Sequence, residues 1–159
     1  MKEVNPFEDE KIAQQWIHSV ESERGGPRDI YIYPILSKWM EEYRPKTVLD
    51  VGSGQRVASV LMTGIKYVGV EPSVPLVERA KILYPEERFL VGSAYELPVD
   101  ANAFEGAFSI NVWFHLADPL RALHEVYRVL KPGGSFLLIS PNPGAYDIWE
   151  SFYEDVERD

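Results

Sequence analysis

Two carboxylates separated by a glycine turn are the residues of this chain best suited to chemistry. Asp50 ends a short apolar run that starts at Thr47, and the turn Gly52-Ser53-Gly54 follows almost directly. Glu71 ends a second apolar run, which starts at Ile65. A glycine turn lets the backbone approach a ligand closely, because a β-carbon there would collide with it. A carboxylate at the end of the second run can accept both vicinal hydroxyls of a ribose.

The segment that carries these residues has the pattern of strand, turn, helix and parallel strand. Gly64 closes a short helical pattern between the two apolar runs, formed by Val57, Ala58, Val60 and Leu61. The carboxyl ends of parallel strands meet at one edge of a sheet, where ligands bind. The sequence therefore predicts a nucleoside-binding half-site at this edge.

Two helices are predicted before the sheet. The first is expected to begin at Asn5-Pro6, and the second near Pro34, with Arg44-Pro45 as its stop. They either pack on the sheet or fold over its ligand edge as a lid. The apolar face of the first helix is predicted to contain Ile12, Ala13, Trp16, Ile17 and Val20.

The chain beyond Glu71 continues to alternate helices with strands. Ser73 is predicted to cap a helix, and Asp118-Pro119 to begin another with Leu120, Leu123, Tyr127 and Leu130 on its apolar face. Further strands are predicted over 88–92, 106–111 and 135–140. This alternation favours an α/β, Rossmann-like fold: a doubly wound, mainly parallel five-stranded sheet in the order 3-2-1-4-5, with two N-terminal helices.

Composition and charge exclude several classes of function. The 159 residues are 45% hydrophobic and 13% aromatic, which is typical of a single globular domain. A formal net charge of −9 argues against general nucleic-acid binding or attraction to anionic membranes. Without cysteines, and with three histidines lacking paired spacing, the sequence predicts no metal site. It contains no signal-like region and no membrane-spanning run, so a cytoplasmic protein is predicted.

Four sequence blocks, taken together and in this order, resemble the class I S-adenosylmethionine-dependent methyltransferases of the type 11 group. The resemblance implies an enzyme that uses S-adenosyl-L-methionine and transfers its methyl group in line to a small-molecule acceptor. The blocks are VLDVGSG at 48–54, GVEPS at 69–73, GSAYELPVDANAFEGAFSINVWFHLADP at 92–119 and HEVYRVLKPGGSFLLISPNP at 124–143.

The same resemblance implies a set of site residues. Glu71 would bind both ribose hydroxyls, Asp50 would brace the glycine turn, and Asn111 would offer backbone groups near the sulfonium. Trp113 and Phe114 would line the acceptor pocket. His115 is either a general base or a packed, structural side chain. The implied cofactor-binding residues are Asp50, Gly52, Ser53, Gly54, Glu71, Pro72, Ser93, Ala94 and Asn111.

Two positions depart from the family pattern. Arg56 stands where the family often has a third glycine, and it either contacts the cofactor carboxylate or points to solvent. Ser93 stands where the family often has aspartate to accept from the adenine amino group. Serine accepts without charge and with shorter reach, which should weaken that contact.

Two other functions compete with methyl transfer. A nicotinamide-binding domain would favour Gly-x-Gly-x-x-Gly, but Val57 holds the third glycine position. A non-catalytic S-adenosylmethionine-binding module or regulatory subunit is the second alternative. It is suggested by the chain's end: 19 residues follow Ser140, too few for the family's further helix and two strands, as expected of a minimal member or a fragment.

One domain over 1–159 is expected, with a helical lid region at 1–45, a cofactor-binding sheet core at 46–141 and a C-terminal helix at 142–159. Strand 135–140 would lie at the sheet edge, where unpaired backbone groups invite pairing. Either the tail folds back over its own sheet or the chain forms a homodimer, which we favour because two-fold pairing satisfies both edges. The tail's aromatic residues are Tyr146, Trp149, Phe152 and Tyr153.

Overall fold

A computed structural model, which describes residues 7, 9–22, 26, 28–55 and 63–141, contains a five-stranded sheet. Every neighbouring pair of strands is parallel, and the order is β3-β2-β1-β4-β5. The predicted fold class and strand order are therefore confirmed. The strands are β1 (Thr47–Val51), β2 (Lys66–Glu71), β3 (Arg88–Val91), β4 (Phe104–Ile110) and β5 (Leu130–Ile139).

The register of the central strands brings the two carboxylates to the same edge. Asp50 of β1 lies opposite Gly69 of β2, so β1 and β2 end within a residue or two of one another. Both strands are buried almost throughout, as expected for central strands covered on both faces. β4 begins two residues earlier than predicted, because Phe104 pairs with Leu130 before an irregularity in the ladder.

Four α-helices are present in the described part of the chain: α1 (Glu10–Ser22), α2 (Tyr33–Tyr43), α3 (Val74–Leu83) and α4 (Pro119–Val129). A π-helical turn, Arg28–Ile32, leads into α2, and a 3₁₀ turn, Trp113–His115, follows β4. α2 begins with proline in its first turn and stops before Arg44, as the sequence predicted, and Arg44 itself adopts the left-handed conformation.

Two apolar clusters hold the sheet between its helices. Alternate side chains of β1 enter different clusters: Val48 joins the one containing α2 and α3, and Leu49 joins the one containing α4. The first cluster consists of Leu36, Trp39, Val48, Tyr67, Val77, Ala80, Phe89 and Phe108. The second contains Leu49, Val51, Val68, Val70, Ala107, Ala122, Val126 and Val129, among others.

Helix α1 packs on α3 through Ala13, Ile17 and Leu76. A paired contact between Arg79 and Glu21, at 2.7 and 2.8 Å, links the same two helices. Asp9 caps α1 by accepting from the Ile12 amide at 3.0 Å, and the start predicted at residues 5–6 lies outside the described residues. The lid function of residues 1–45 stays a prediction.

Ser73 occupies the N-cap position of α3, but the predicted side-chain cap is wrong. Its hydroxyl instead donates to the carbonyl of Phe7 at 2.6 Å. A serine cap needs an amide two or three residues ahead, and the first of these positions is Pro75, which has no N–H. The hydroxyl therefore ties α3 to the N-terminal segment.

The predicted apolar face of α4 is also wrong. Leu120 is 68% exposed and Tyr127 is 82% exposed, whereas the buried side chains are Ala122, Val126 and Val129. The small buried residues let the helix approach the sheet closely, whereas the larger Leu120 and Tyr127 lie on an exposed side of the helix. Leu130, assigned to the same face, is the first residue of β5.

Several predicted features lie outside the described residues. They are the short helix at 57–61, the contact of Arg56 and the helix of the C-terminal tail. Gly64, predicted to close that short helix, is described and has a φ of +79°.

Candidate functional site

The glycine turn is fixed on the end of β2 by its backbone. The amides of Gly52 and Ser53 both donate to the carbonyl of Val70, at 2.8 and 3.1 Å. Gly52 has a φ of +79°, and a β-carbon added there would lie 2.3 Å from Cγ2 of Val112. Gly54 has a φ of +58°, and a β-carbon there would meet no described residue within 4 Å. One glycine is therefore demanded by packing, and the other borders open space.

The side chain of Ser53 faces the sheet. A β-carbon added to Gly69 of β2 would lie 2.8 Å from the Ser53 hydroxyl and equally close to Phe89. Gly69 thus leaves room for the serine, whose side chain is buried. Ser53 supports the turn through this contact.

Glu71 bridges the glycine turn and the start of α3. Its Oε2 accepts from the Gly54 amide at 3.1 Å, and its Oε1 accepts from the Ser73 amide at 2.9 Å. Burial raises the pKa of the Glu71 carboxyl, while the amides of Ser73 and Gly54 oppose that rise. Each oxygen keeps a lone pair, so the carboxylate can accept two further hydrogen bonds.

Asp50 is buried beside the turn and accepts a hydrogen bond from the hydroxyl of Tyr67 at 2.8 Å. Burial raises the pKa of Asp50 to about 7; the Tyr67 hydrogen bond opposes the rise, the charge of Glu71 adds to it and the charge of Arg28 opposes it. The same burial raises the pKa of Tyr67 well above its usual value. Asp50 is therefore the carboxyl of this site whose charge changes near neutral pH.

The residues around the turn fit the implied cofactor. Gln55 follows the turn, is 1% exposed, and its Nε2 has no hydrogen-bond partner among the described residues. A buried donor without an acceptor costs about 1–3 kcal/mol, which a bound ligand can offset. Space left open over Gly54 by the described residues and the acceptor capacity of Glu71 together suit a polar ligand such as a nucleoside.

The crossover between β3 and β4 carries Ser93 and Ala94. The Ser93 hydroxyl accepts from the Tyr95 amide at 3.1 Å, and Ala94 is buried, whereas Pro72 is exposed beside Glu71. Two residues of α4 hold this crossover by three hydrogen bonds, and two further hydrogen bonds join the pair to each other. They are Glu125, which accepts from the Leu97 amide, and Arg128, which donates to the carbonyls of Leu97 and Val99 and twice to Glu125.

The end of β4 brings the remaining predicted residues together. Asn111 has a φ of +58°, and its backbone amide donates to the Ile139 carbonyl at 2.8 Å, so of its two backbone groups the carbonyl is the one left for a ligand. Trp113 is half-buried, and its ring centroid lies 5.3 Å from that of Phe136, so one part of its side chain packs in the core; its place in an acceptor pocket stays a prediction. The rings of Phe114 and His115 are 3.9 Å apart, and both side chains are exposed.

Three residues of the site were not predicted from the sequence: Tyr67, Gly69 and Gln55. Tyr67 carried a usable signal, because a tyrosine inside a buried strand needs a partner for its hydroxyl. It lies two residues before Gly69, the partner of Asp50, and therefore on the same face. The other two depend on packing that no local pattern reveals.

No metal centre or second chemical cluster competes with this site in the described ranges. Among those residues, no group of three or more histidines and acids could hold a metal ion. A cavity of about 240 Å³ lies at the opposite, amino edge of the sheet, where Thr47, Lys66, Arg88 and Asp100 are part of its lining. No helix in the described part of the chain is long and apolar enough to cross a membrane.

A parallel sheet in this order, with a glycine turn and an acid at its carboxyl edge, is characteristic of α/β proteins of the Rossmann-like class. Residues 49–138 match the family model described as "Methyltransferase domain", and the chain belongs to that family.

Relatives and solved structures agree with this assignment. An uncharacterized methyltransferase of Mycobacterium tuberculosis is 32% identical over 119 residues, covering 74% of this chain and 47% of that protein. The chain thus spans about half the length of that relative. A structure from Methanococcus maripaludis, 21% identical, has a TM-score of 0.72 over 99% of this chain and 84% of its own, which shows the fold alone. The [4+2]-cyclase SpnF is 29% identical with a TM-score of 0.56, covering 62% of this chain and 41% of SpnF.

Proposed function

We propose that this chain binds S-adenosyl-L-methionine at the carboxyl edge of β1, β2 and β4 and transfers its methyl group to a small-molecule acceptor in the cytoplasm. The observation that carries the proposal is the hydrogen bond from the Gly54 amide to Glu71. It joins the glycine turn to the one acid suited to a ribose, with open space over Gly54. Membership of the methyltransferase domain family supports the same reaction.

The nucleoside end of the ligand would be held by residues of β2 and the crossover. Glu71 has capacity for two hydroxyl donors beyond the amides that it already accepts. Exposed Pro72 and buried Ala94 would flank the adenine. The Ser93 oxygen already accepts from the Tyr95 amide, so its remaining lone pair is the one available to the adenine amino group.

The acceptor end would be shaped by the segment after β4. S-adenosyl-L-methionine supplies a methyl group on a sulfonium, whose thioether leaves without needing a proton. The chain therefore has to hold the acceptor in line and exclude water, for which Trp113 and Phe114 are placed beside the end of β4. Where the acceptor must lose a proton, His115 is our candidate base, since it neighbours both aromatic residues.

Binding and transfer are tested in sequence. Calorimetric titration with S-adenosylhomocysteine should give a one-to-one complex, and a screen with radiolabelled methyl donor should then identify labelled acceptors. Absence of binding at millimolar ligand would overturn the proposal at its first step.

A cofactor-binding protein that does not transfer methyl groups is the second candidate. It is favoured by the similarity to SpnF, which is described as a [4+2]-cyclase, since one fold serves unrelated chemistries. A regulatory subunit that acts only with a partner belongs to the same class. Binding of S-adenosylhomocysteine without label transfer to any acceptor would favour this candidate.

We also propose that the protein is a homodimer built on β5. Within the described residues β5 pairs only with β4, so its outer edge has no partner strand there. Leu138 on this strand is 43% exposed. Long edge strands of this kind are normally covered or paired, and a two-fold axis pairs both copies at once.

A further inference from the structure

The cavity at the amino edge of the sheet lies away from the candidate site and combines apolar walls with charged side chains. Its volume is about 240 Å³, below the roughly 300–1,000 Å³ of sites for drug-sized ligands, so it has room for a small molecule. Ligand sites are typically apolar with a few convergent polar groups, and this lining has that character. Its residues are Thr47, Lys66, Val68, Arg88, Pro98, Val99, Asp100, Ala103 and Phe104.

The register of the sheet places the two cations of this lining on one face. Arg88 of β3 lies opposite Val68 of β2, and Lys66 precedes Val68 by two residues, so the three side chains leave the sheet on the same side. That side is the one covered by α4, because Val68 belongs to the apolar cluster that contains α4. With strands about 4.8 Å apart and a rise of about 3.3 Å per residue, the Cα atoms of Lys66 and Arg88 lie about 8 Å apart. An anion between them can reach both cations.

The charges of the cavity favour an anion of low charge. In the part of the chain that the structure describes, neither Lys66 nor Arg88 forms an ion pair. Asp100 is the acid of the lining, so two cations and one acid leave a formal excess of one positive charge. The whole chain has a net charge of −9, which disfavours an extended polyanion. A small organic monoanion therefore complements the cavity better than a nucleic acid does.

We infer that this cavity binds a small organic carboxylate with an apolar body. Buried Val68 and Phe104 supply part of the apolar lining, whereas Lys66 and Arg88 are exposed. The apolar body would lie against the buried residues, and the carboxylate would lie between the cations. Arg88 can donate two parallel hydrogen bonds to it, and Lys66 adds a point charge. The site is separate from the glycine turn, because β1 and β2 begin at the cavity and end at the turn.

Two probes that differ in charge provide the test. Phenylacetate pairs a carboxylate with an aromatic body, and phenylacetamide is its uncharged isostere. Titrations of wild type, followed by backbone amide chemical shifts, should show saturable binding of phenylacetate with shift changes in the crossover at Val99, Asp100 and Ala103. Phenylacetamide should bind about 5-fold or more weakly, because it lacks the charge that both cations attract.

Variants of the charged residues should change the affinity for phenylacetate in opposite directions. Lys66→Gln and Arg88→Gln should each lower it by about 2- to 5-fold, the range of an exposed ion pair, and the double variant should lower it by about 10-fold. Asp100→Asn should raise it by about 2-fold or more, because a like charge beside the carboxylate is removed. Lys81→Gln, on exposed α3, is the matched control and should bind phenylacetate as wild type does.

Three outcomes would overturn the inference. The first is the absence of saturable binding at millimolar phenylacetate. The second is equal affinity for the two probes, or wild-type affinity in the double variant of Lys66 and Arg88. The third is a set of shift changes confined to the glycine turn, since the probe would then be bound at the opposite edge. None of these outcomes depends on whether the chain binds S-adenosyl-L-methionine, so the proposed function is tested separately.

Discussion

The hydroxyl of Tyr67 donates to the carboxylate of Asp50 at 2.8 Å, and both groups are buried between the central strands. Asp50 belongs to β1 and Tyr67 to β2, so the bond crosses the two strands that carry the site. Its donor is uncharged, and it therefore offsets only part of the cost of burying an ionised acid. The stability of the fold therefore depends on whether the Asp50 carboxyl, which belongs to the site, is charged.

The first prediction is that Asp50 makes folding stability decline as pH rises towards neutrality. The pKa of Asp50 is about 7 in the folded protein, above its usual 3.8. The stability that Asp50 contributes is fully present below pH 3.8 and is lost as the pH rises through about 7. Urea unfolding measures the free energy of unfolding of wild type and of Asp50→Asn between pH 5 and 8. As pH rises, the wild-type value should fall relative to that of Asp50→Asn by up to about 1.4 kcal/mol per pH unit. Parallel curves would contradict this prediction.

Tyr67→Phe provides the partner experiment, because it removes the group that opposes the raised pKa. Loss of the hydroxyl should cost about 1–3 kcal/mol at pH 8, where the carboxylate is charged, and less at pH 5. The pKa of Asp50 should also rise further, because the hydrogen bond that lowers it is lost while the charges of Glu71 and Arg28 are unchanged. Stability should therefore fall over a range of higher pH. Tyr43→Phe, at an exposed position at the end of α2, is the control.

The second prediction concerns cofactor affinity. Glu71→Ala should lose about 1.5–3 kcal/mol of binding free energy for S-adenosylhomocysteine, since charge-assisted hydrogen bonds to the ribose disappear. Glu71→Gln keeps one acceptor oxygen and should lose less. Calorimetric titration measures both, with Glu78→Gln on the exposed surface of α3 as control. Wild-type affinity in Glu71→Ala would remove Glu71 from the binding site.

The third prediction separates the two glycines of the turn. Gly52→Ala combines left-handed strain with a clash against Val112, so it should destabilise the fold by about 2–4 kcal/mol. Gly54→Ala has strain without a clash and should cost about 1–2 kcal/mol. In a Val112→Ala background the cost of Gly52→Ala should shrink by about 1 kcal/mol or more. Equal costs in both backgrounds, measured by chemical unfolding, would contradict the contact.

The fourth prediction tests catalysis separately from binding. If His115 removes a proton from the acceptor, His115→Asn should lower the methylation rate by roughly 10²–10⁴ and leave the affinity for S-adenosylhomocysteine nearly intact. His124→Asn, on exposed α4, is the matched control and should transfer methyl groups at the wild-type rate. Equal rates for His115→Asn and wild type would assign His115 a structural role only.

The sheet could be predicted from sequence because its determinants are local. The apolar runs around 47–51 and 66–71, the glycine turn and the alternation with helices each specify an element, and parallel order follows from their succession. The pairing of Gly54 with Glu71 follows from the same logic, since both lie where central strands end.

Features set by packing between distant elements were missed. In α4 the pattern of large apolar residues pointed to Leu120 and Tyr127, but the helix approaches the sheet through Ala122, Val126 and Val129. Helical periodicity identifies an apolar stripe without stating which side touches the sheet. The effect of the Arg28 charge on the pKa of Asp50, 22 residues later in the sequence, likewise has no local signal.

The last prediction concerns the two edges of the sheet. β3 is an edge of four residues, and β5 is an edge of ten, so β5 offers the longer row of unpaired backbone groups. Light scattering should therefore give twice the 18.2 kDa chain mass at micromolar concentration. Leu138→Lys, which places a charge on exposed β5, should shift the protein towards monomer, because a charged side chain on an edge strand opposes pairing. Val91→Lys makes the same change on exposed β3 and should leave the dimer intact. A mass of one chain throughout a dilution series, or equal effects of the two lysines, would rule out a dimer built on β5.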